Sequence, residues 1–173
     1  RRQLQNAQPN RGHQLLAELE KDHQVTVITQ NVDDLHERGG SSRVIHLHGE
    51  LTKARSSVHG ELVYDIGYKD IQPGDVCDRG AQLRPHVVWF GEEVPMLDTA
   101  AEVVRTADQL LIIGTSLQVY PAASLAYEID MSVPITVIDP DAPTTLVRAR
   151  VIRKGAGEGL AEWIANMPKA WGV

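Results

Sequence analysis

Within Thr29–Leu51, TQNVDDLHERGGSSRVIHLHGEL, three histidines, an asparagine, a glutamine and two adjacent aspartates lie between apolar runs. Imidazole titrates near neutral pH, so His48, placed after the apolar stretch that begins at Val44, is the candidate general base. The side chains of Gln30, Asn31 and Asp33 offer carboxamide and carboxylate groups that can hold the hydroxyls or amides of a ligand. Metal binding is the rival use of His36, His46 and His48. His46 and His48 would share a strand face, but no third ligand has convincing spacing, so a base is the better reading. Asn, Asp and Ser also cap helices, and any single strand end here could be read that way. The set points further. Gln30, Asn31 and Asp33 follow one apolar run and His48 a second; Gly114, Thr115 and Ser116 follow a third, and Asp139 a fourth. Amides and imidazoles cap poorly, and ligands of open parallel sheets bind beyond the carboxyl ends of the strands.

The elements that must position these groups follow from periodicity. Gly12–Asp22 puts Leu15, Leu16 and Leu19 on one face, the mark of an amphipathic helix. Val25–Thr29 is a β-branched strand suited to burial on both faces. Further strands are expected at Arg43–Gly49, His86–Phe90, Gln109–Thr115, Pro134–Asp139 and Arg150–Gly155, and helices at Leu97–Ala107, Pro121–Ile129 and Gly159–Asn166. Strands alternating with helices predict an α/β fold, a mostly parallel sheet with helices on both faces. Residues 52–84 break this rhythm: they are polar, hold scattered Gly and Pro, and show only weak strand signals. They are expected to form a small module inserted into a main domain made of residues 1–51 and 85–173.

Composition narrows the function. A net charge of −6 argues against general nucleic-acid binding, though not against a lysine-rich protein substrate. No apolar run approaches the roughly 20 residues that span a bilayer, and RRQLQNAQPN has no apolar core of the signal-peptide kind. The single cysteine, Cys77, excludes an intrachain disulfide framework. A cytoplasmic monomer without membrane or nucleic-acid partners is expected.

Two further stretches bear on binding. GAGEG, Gly155–Gly159, lacks dinucleotide-loop spacing and reads as a glycine-rich start to a helix. In LRPHVVWFGEEVP an apolar strand runs into Phe90-Gly91-Glu92, where a glycine beside an aromatic lets a peptide backbone approach closely, or simply makes a turn.

TQNVDDLHERGG, VIHLHGEL, LRPHVVWFGE and GTSLQVYPAA, in this order, resemble the motifs of the sirtuins, with the branch of bacterial and acidic-acyl deacylases nearest. The resemblance covers nearly the whole chain from about Gly12. It implies a Rossmann-like NAD-binding domain and NAD-dependent removal of acetyl, succinyl or malonyl groups from acylated-lysine proteins or peptides, giving nicotinamide and O-acyl-ADP-ribose. His48 then matches the catalytic base. Gln30, Asn31 and Asp33 match the motif that holds the nicotinamide ribose and orders the catalytic pocket. Gly114, Thr115 and Ser116 match the adenosine-side segment, Asp139 stands near the adenine ribose, and Ala156 lies in the adenine-contacting segment. Val88, Phe90, Gly91 and Glu92 match the strand and loop that pair with substrate peptide. Either Arg1 or Arg2 could be the arginine that binds an acidic acyl carboxylate.

Two departures stand beside the resemblance. The Gly-rich strand-loop-helix that binds the NAD pyrophosphate in sirtuins has no counterpart within these residues, so an intact site is expected to need more than this chain. The small domain of sirtuins holds zinc through two Cys-x-x-Cys pairs, whereas here Ser56 stands where the first pair would begin and only Cys77 remains. One thiol plus His59 is no tetrahedral set, so zinc is expected to be absent. A catalytically incomplete sirtuin-fold protein that binds ADP-ribose or acyl-lysine peptides is the alternative function, and ADP-ribosyl transfer would use the same histidine.

Overall fold

The computed structural model describes residues 1–142 and 146–167. Helix α1, Arg2–Asn6, opens the chain, and α2, Arg11–Leu19, follows it. The Asn10 side chain accepts the His13 amide while the Asn10 amide donates to His13 Nδ1, so two orphan donors at the start of α2 are satisfied reciprocally. Strand β1, Val27–Thr29, runs parallel to β2, Val44–His46, with the short helix α3, Leu35–Arg38, between them. Arg38 reaches back from α3 to the carbonyls of Leu4 and Ala7, tying α1 in place.

After β2 the chain enters an antiparallel sheet in which β3, Gly49–Ser56, lies between β4, Val63–Asp65, and β5, Leu83–Val87. Here the strand expected at His86–Phe90 is corrected. The strand is Leu83–Val87, it is antiparallel to β3, and it belongs to the small sheet and not to the parallel one. Pro85 was the signal that this was no central strand, because proline is accommodated at sheet edges and β5 is an edge. The module's ladder therefore reaches beyond residues 52–84 at both ends.

The remaining parallel strands are β6, Leu110–Ile113, β7, Ile135–Ile138, and β8, Arg150–Ile152, with α4, Leu97–Arg105, before β6 and α5, Ala156–Ala165, after β8. Pro121–Ile129, expected as an α-helix, is a 3₁₀ helix at Ala122–Tyr127. Its first turn is tightened by the Ser124 amide and hydroxyl, both donating to the Pro121 carbonyl. The parallel strands form two sheets, β1–β2 and β6–β7–β8, which are not hydrogen-bonded to each other.

Helices cover both faces. On one, α4 and the 3₁₀ helix contribute Ala100, Val104, Leu125 and Ala126 to a core with Ile112, Val137 and Leu47. On the other, Leu15 of α2 and Leu160 of α5 pack on Ile138 and Ile152. Every residue of β7 is buried, as a strand covered on both faces requires. Among the described residues no helix is long and apolar enough to cross a membrane.

Candidate functional site

Strand β1 ends at Thr29, whose hydroxyl accepts the Asn31 amide and turns the chain sharply. The turn is fastened to the antiparallel sheet by the Leu51 amide, which donates to the Val32 carbonyl. Asp33 Oδ1 accepts the Leu35 amide at 3.1 Å, so one of its oxygens serves the start of α3. The Asn31 side chain is exposed.

His48 lies in the turn between β2 and β3, and not on a strand, so the expected sharing of one face with His46 does not hold. Its Nδ1 is 3.1 Å from the Gln30 carbonyl oxygen. A carbonyl only accepts, so Nδ1 carries the hydrogen and the neutral ring presents Nε2 with its lone pair. The His48 carbonyl accepts the Val88 amide at 2.9 Å, joining the base to the end of β5. Behind His48, Gly49 has φ +78° and backs directly onto the His86 carbonyl.

Val88 leads into an outward turn, Trp89–Glu92. Phe90 is fully exposed at its tip and Gly91 takes φ +89°. Glu92 holds the turn: its carboxylate pairs with Arg55 and Arg84, each at 2.7 Å, and accepts the Trp89 amide. The side chain of Glu92 therefore fixes the shape of the loop that Val88, Phe90 and Gly91 present.

Gly114 follows β6 with φ +61° and open space where a side chain would stand. The Thr115 hydroxyl accepts the Leu117 amide, and Ser116 is exposed. Gln30, Asn31, Gly114 and Thr115 line one cleft between β1 and β6, so the structure brings together the ends of these two strands. Asp33, His48 and Ser116 stand outside that lining, as do Asp139 and Ala156. Asp139 follows β7, where its Oδ1 accepts the Asp141 amide, and Ala156 opens α5 with its Cβ against Gly12. Arg1 donates from Nε to the Leu51 carbonyl at 2.6 Å and from Nη2 to that of Lys53, whereas Arg2 pairs with Asp70 at the surface. Burial holds the Arg1 guanidinium below its ordinary pKa.

Several partners were not legible in the sequence. His46 is buried as a side chain and bridges the Glu37 carboxylate, at 2.7 Å, and the Asn31 carbonyl, at 3.3 Å. Glu37, His46 and Glu50 bring three possible ligand atoms within 4.8 Å of one another, although Glu50 is already paired with Lys53. His36 and His13 meet edge to face, and burial lowers the pKa of both.

In the small module the Ser56 hydroxyl accepts the amides of Val58 and His59, and its contact with Cys77 holds that thiol below its ordinary pKa. His59 Nδ1 faces Arg79, which is paired with Glu61. A hydroxyl, a thiol and an imidazole turned toward a guanidinium do not make a zinc site.

A Sir2 family model matches residues 1–121. The NAD-dependent protein deacylase of Bacteroides thetaiotaomicron is 51% identical over 172 residues, covering 94% of this chain and 72% of that protein. The NAD-dependent protein deacylase of Helicobacter pylori is 57% identical over 142 residues, covering 82% of this chain and 60% of that protein. A solved Sir2 homolog–NAD complex superimposes with a TM-score of 0.85 at 43% identity, over 97% of this chain and 68% of the other. The chain thus spans between 60% and 72% of the length of these two curated relatives.

Proposed function

The chain belongs to the Sir2 family, and on that premise we propose that the complete protein removes acyl groups from lysine side chains of protein substrates, consuming NAD. The observation that carries this reading is the setting of His48, with Nδ1 spent on the Gln30 carbonyl and its backbone tied to Val88.

The residues present fit a nicotinamide dinucleotide on its ribose side. Gln30 and Asn31 supply donors and acceptors at one edge of the cleft, and the uncovered backbone at Gly114 lets a ligand come close at the other. When bound, NAD would supply the ribose carbon that receives the acyl oxygen as nicotinamide leaves. His48 Nε2 would then take a proton from a ribose hydroxyl, the task of a general base. Gln30 holds His48 in the required tautomer through its carbonyl, and Asn31 and Asp33 orient the ribose. Val88 and Gly91 offer backbone to an extended acyl-lysine peptide, with Phe90 as an apolar contact beside it. Glu92 acts by holding this loop. Asp139 and Ala156 are assigned to the adenosine side. Arg1 and Arg2 are engaged with Leu51, Lys53 and Asp70, and either would exchange these partners to bind an acidic acyl carboxylate.

A protein that only binds ADP-ribose or acyl-lysine would have no use for a histidine held in its basic tautomer. The test is to incubate the complete protein with NAD and an acetyl-lysine peptide and to follow products by mass spectrometry. Nicotinamide and O-acetyl-ADP-ribose should form in equal amounts with deacetylated peptide. Release of free acetate with NAD left intact would contradict the proposal.

A further inference from the structure

Asp34 stands between Asp33, which orients the ribose in the proposed mechanism, and the first turn of α3. It occupies the N-cap position without capping the helix, since the Leu35 amide is taken by Asp33. Its side chain is 19% exposed, so the carboxylate needs donors in place of the water it has lost. Arg38 supplies charge from Nη1, 3.5 Å from Asp34 Oδ1, but Nη1 and Nη2 donate to the Leu4 and Ala7 carbonyls. Oδ1 is buried and has no hydrogen-bond partner among the described residues. The donor that Asp34 does have comes from the small module: the Tyr68 hydroxyl donates to Oδ2. The module is shaped to deliver it. After β4 the Ile66 amide donates to the Thr52 carbonyl, and Gly67, with φ +56°, turns the chain while its amide donates to Asp65. Two residues beyond Tyr68, Asp70 pairs with Arg2 of α1 at 3.0 Å. The loop at 66–70 therefore meets α1 and the start of α3 together. The bond to Asp34 raises the Tyr68 pKa, so the phenol keeps the hydrogen it donates.

We propose that Tyr68 is a positioning residue for the cofactor: by holding Asp34, its hydroxyl holds the Asn31–Asp33 turn in the shape that orients the ribose. This role rests on the function proposed above. The turn is fixed at its near end and middle by the Asn31 amide on the Thr29 hydroxyl and the Leu51 amide on the Val32 carbonyl. Tyr68 secures its far end, just after Asp33, against the inserted module. Without the hydroxyl, a largely buried carboxylate is left with Arg38 at 3.5 Å and is drawn toward it or out to water. Asp33, one residue away, moves with it, and the hold on the ribose weakens. The chemical step is spared, because among the described residues Tyr68 makes no hydrogen bond to His48 or to the Val88–Glu92 loop. The inserted module thus sets affinity for NAD without touching it.

In the complete protein Tyr68→Phe removes the hydroxyl and keeps the ring. Tyr64→Phe is the control, because the Tyr64 hydroxyl accepts the Asp78 amide inside the same module. KM for NAD and kcat are measured with an acetyl-lysine peptide, and NAD affinity is measured separately by calorimetry without peptide. Tyr68→Phe should raise both KM and the dissociation constant for NAD about fivefold and leave kcat within about twofold. Tyr64→Phe should change none of the three by more than about twofold. In an Asp34→Ala background Tyr68→Phe should add less than about twofold, since its target is gone. Unchanged NAD affinity in Tyr68→Phe would overturn the proposal. So would an equal loss in Tyr64→Phe, which would make the effect one of module stability, or a full additive loss in the Asp34→Ala background. Should Asp34→Ala not fold, the contrast between Tyr68→Phe and Tyr64→Phe decides alone. An unmodified protein that binds NAD but releases no nicotinamide would count against the proposed function, and the affinity comparison would still judge Tyr68.

Discussion

Gly49 is the hinge on which His48 is presented, and its replacement by alanine can be worked out from the structure. Gly49 has φ +78°, and a left-handed conformation costs a residue with a Cβ about 1–2 kcal/mol. A Cβ at this position would also overlap the His86 carbonyl oxygen and come within 2.9 Å of the His86 carbonyl carbon. These are backbone atoms of β5, so relief requires the β3–β5 pairing itself to shift, and overpacking of this kind costs about 1–3 kcal/mol more. Gly91 is the control. Its φ is +89° and nothing lies within 4 Å of the position of a Cβ, so Gly91→Ala bears the conformational cost alone. Urea denaturation should therefore show Gly91→Ala losing about 1–2 kcal/mol and Gly49→Ala about 2–5 kcal/mol. For a chain of this size the larger loss lowers Tm by about 4–20 °C. A Gly49→Ala loss no greater than that of Gly91→Ala would refute the close approach of β3 to β5 behind His48.

Burial lowers the pKa of His36, with the charge of His13 as a second cause, and burial likewise lowers those of His13 and His86. Below about pH 6.5 the unfolded chain takes up protons that the folded chain refuses, so Tm should be level above that pH and fall as pH is lowered, less steeply in His36→Gln; a level or rising Tm on acidification would contradict this. Glu92→Gln should cost about 1 kcal/mol of stability and raise KM for a peptide substrate more than it lowers kcat, since it loosens the Trp89–Gly91 turn; an unchanged KM would show that the clamp is idle. Elemental analysis of purified protein should find no stoichiometric zinc, and a chelator should leave Tm unmoved; one tightly held zinc per chain would overturn the reading of Ser56, His59 and Cys77.

Rim residues were legible because polar groups stood directly after β-branched or aliphatic runs, a pattern that local sequence carries in full. Gln30 and Asn31 after β1, and Gly114 and Thr115 after β6, were found in this way and share one cleft. What escaped was whatever depends on distant pairing. The register of β5 is set by Ala54 opposite Pro85 and by the approach of Gly49 to His86, and nothing local to the apolar Val87–Phe90 run reveals either. The helices α1 and α3 are too short to show a hydrophobic period, and α1 is tied down by Arg38 from far along the chain. Glu92 looked like a group offered to a substrate until Arg55 and Arg84 were seen to occupy it. His46 is the plainest case: its alternation with His48 suggested a common face, but the turn after β2 sends one ring to Glu37 and the other to the Gln30 carbonyl.

The most direct test of the account is to replace His48 in the complete protein and to measure two quantities together, turnover of an acetyl-lysine peptide and affinity for NAD. Among the described residues His48 makes no hydrogen bond to Asn31 or to the Gly114–Ser116 segment, and its ring nitrogen bonds to the Gln30 carbonyl. His48→Ala should therefore reduce deacylation at least a hundredfold, the usual contribution of a general base, while the dissociation constant for NAD changes by less than about threefold, or under 1 kcal/mol. Turnover within a few-fold of the unmodified protein, at unchanged NAD affinity, would contradict the assignment of His48 as the base.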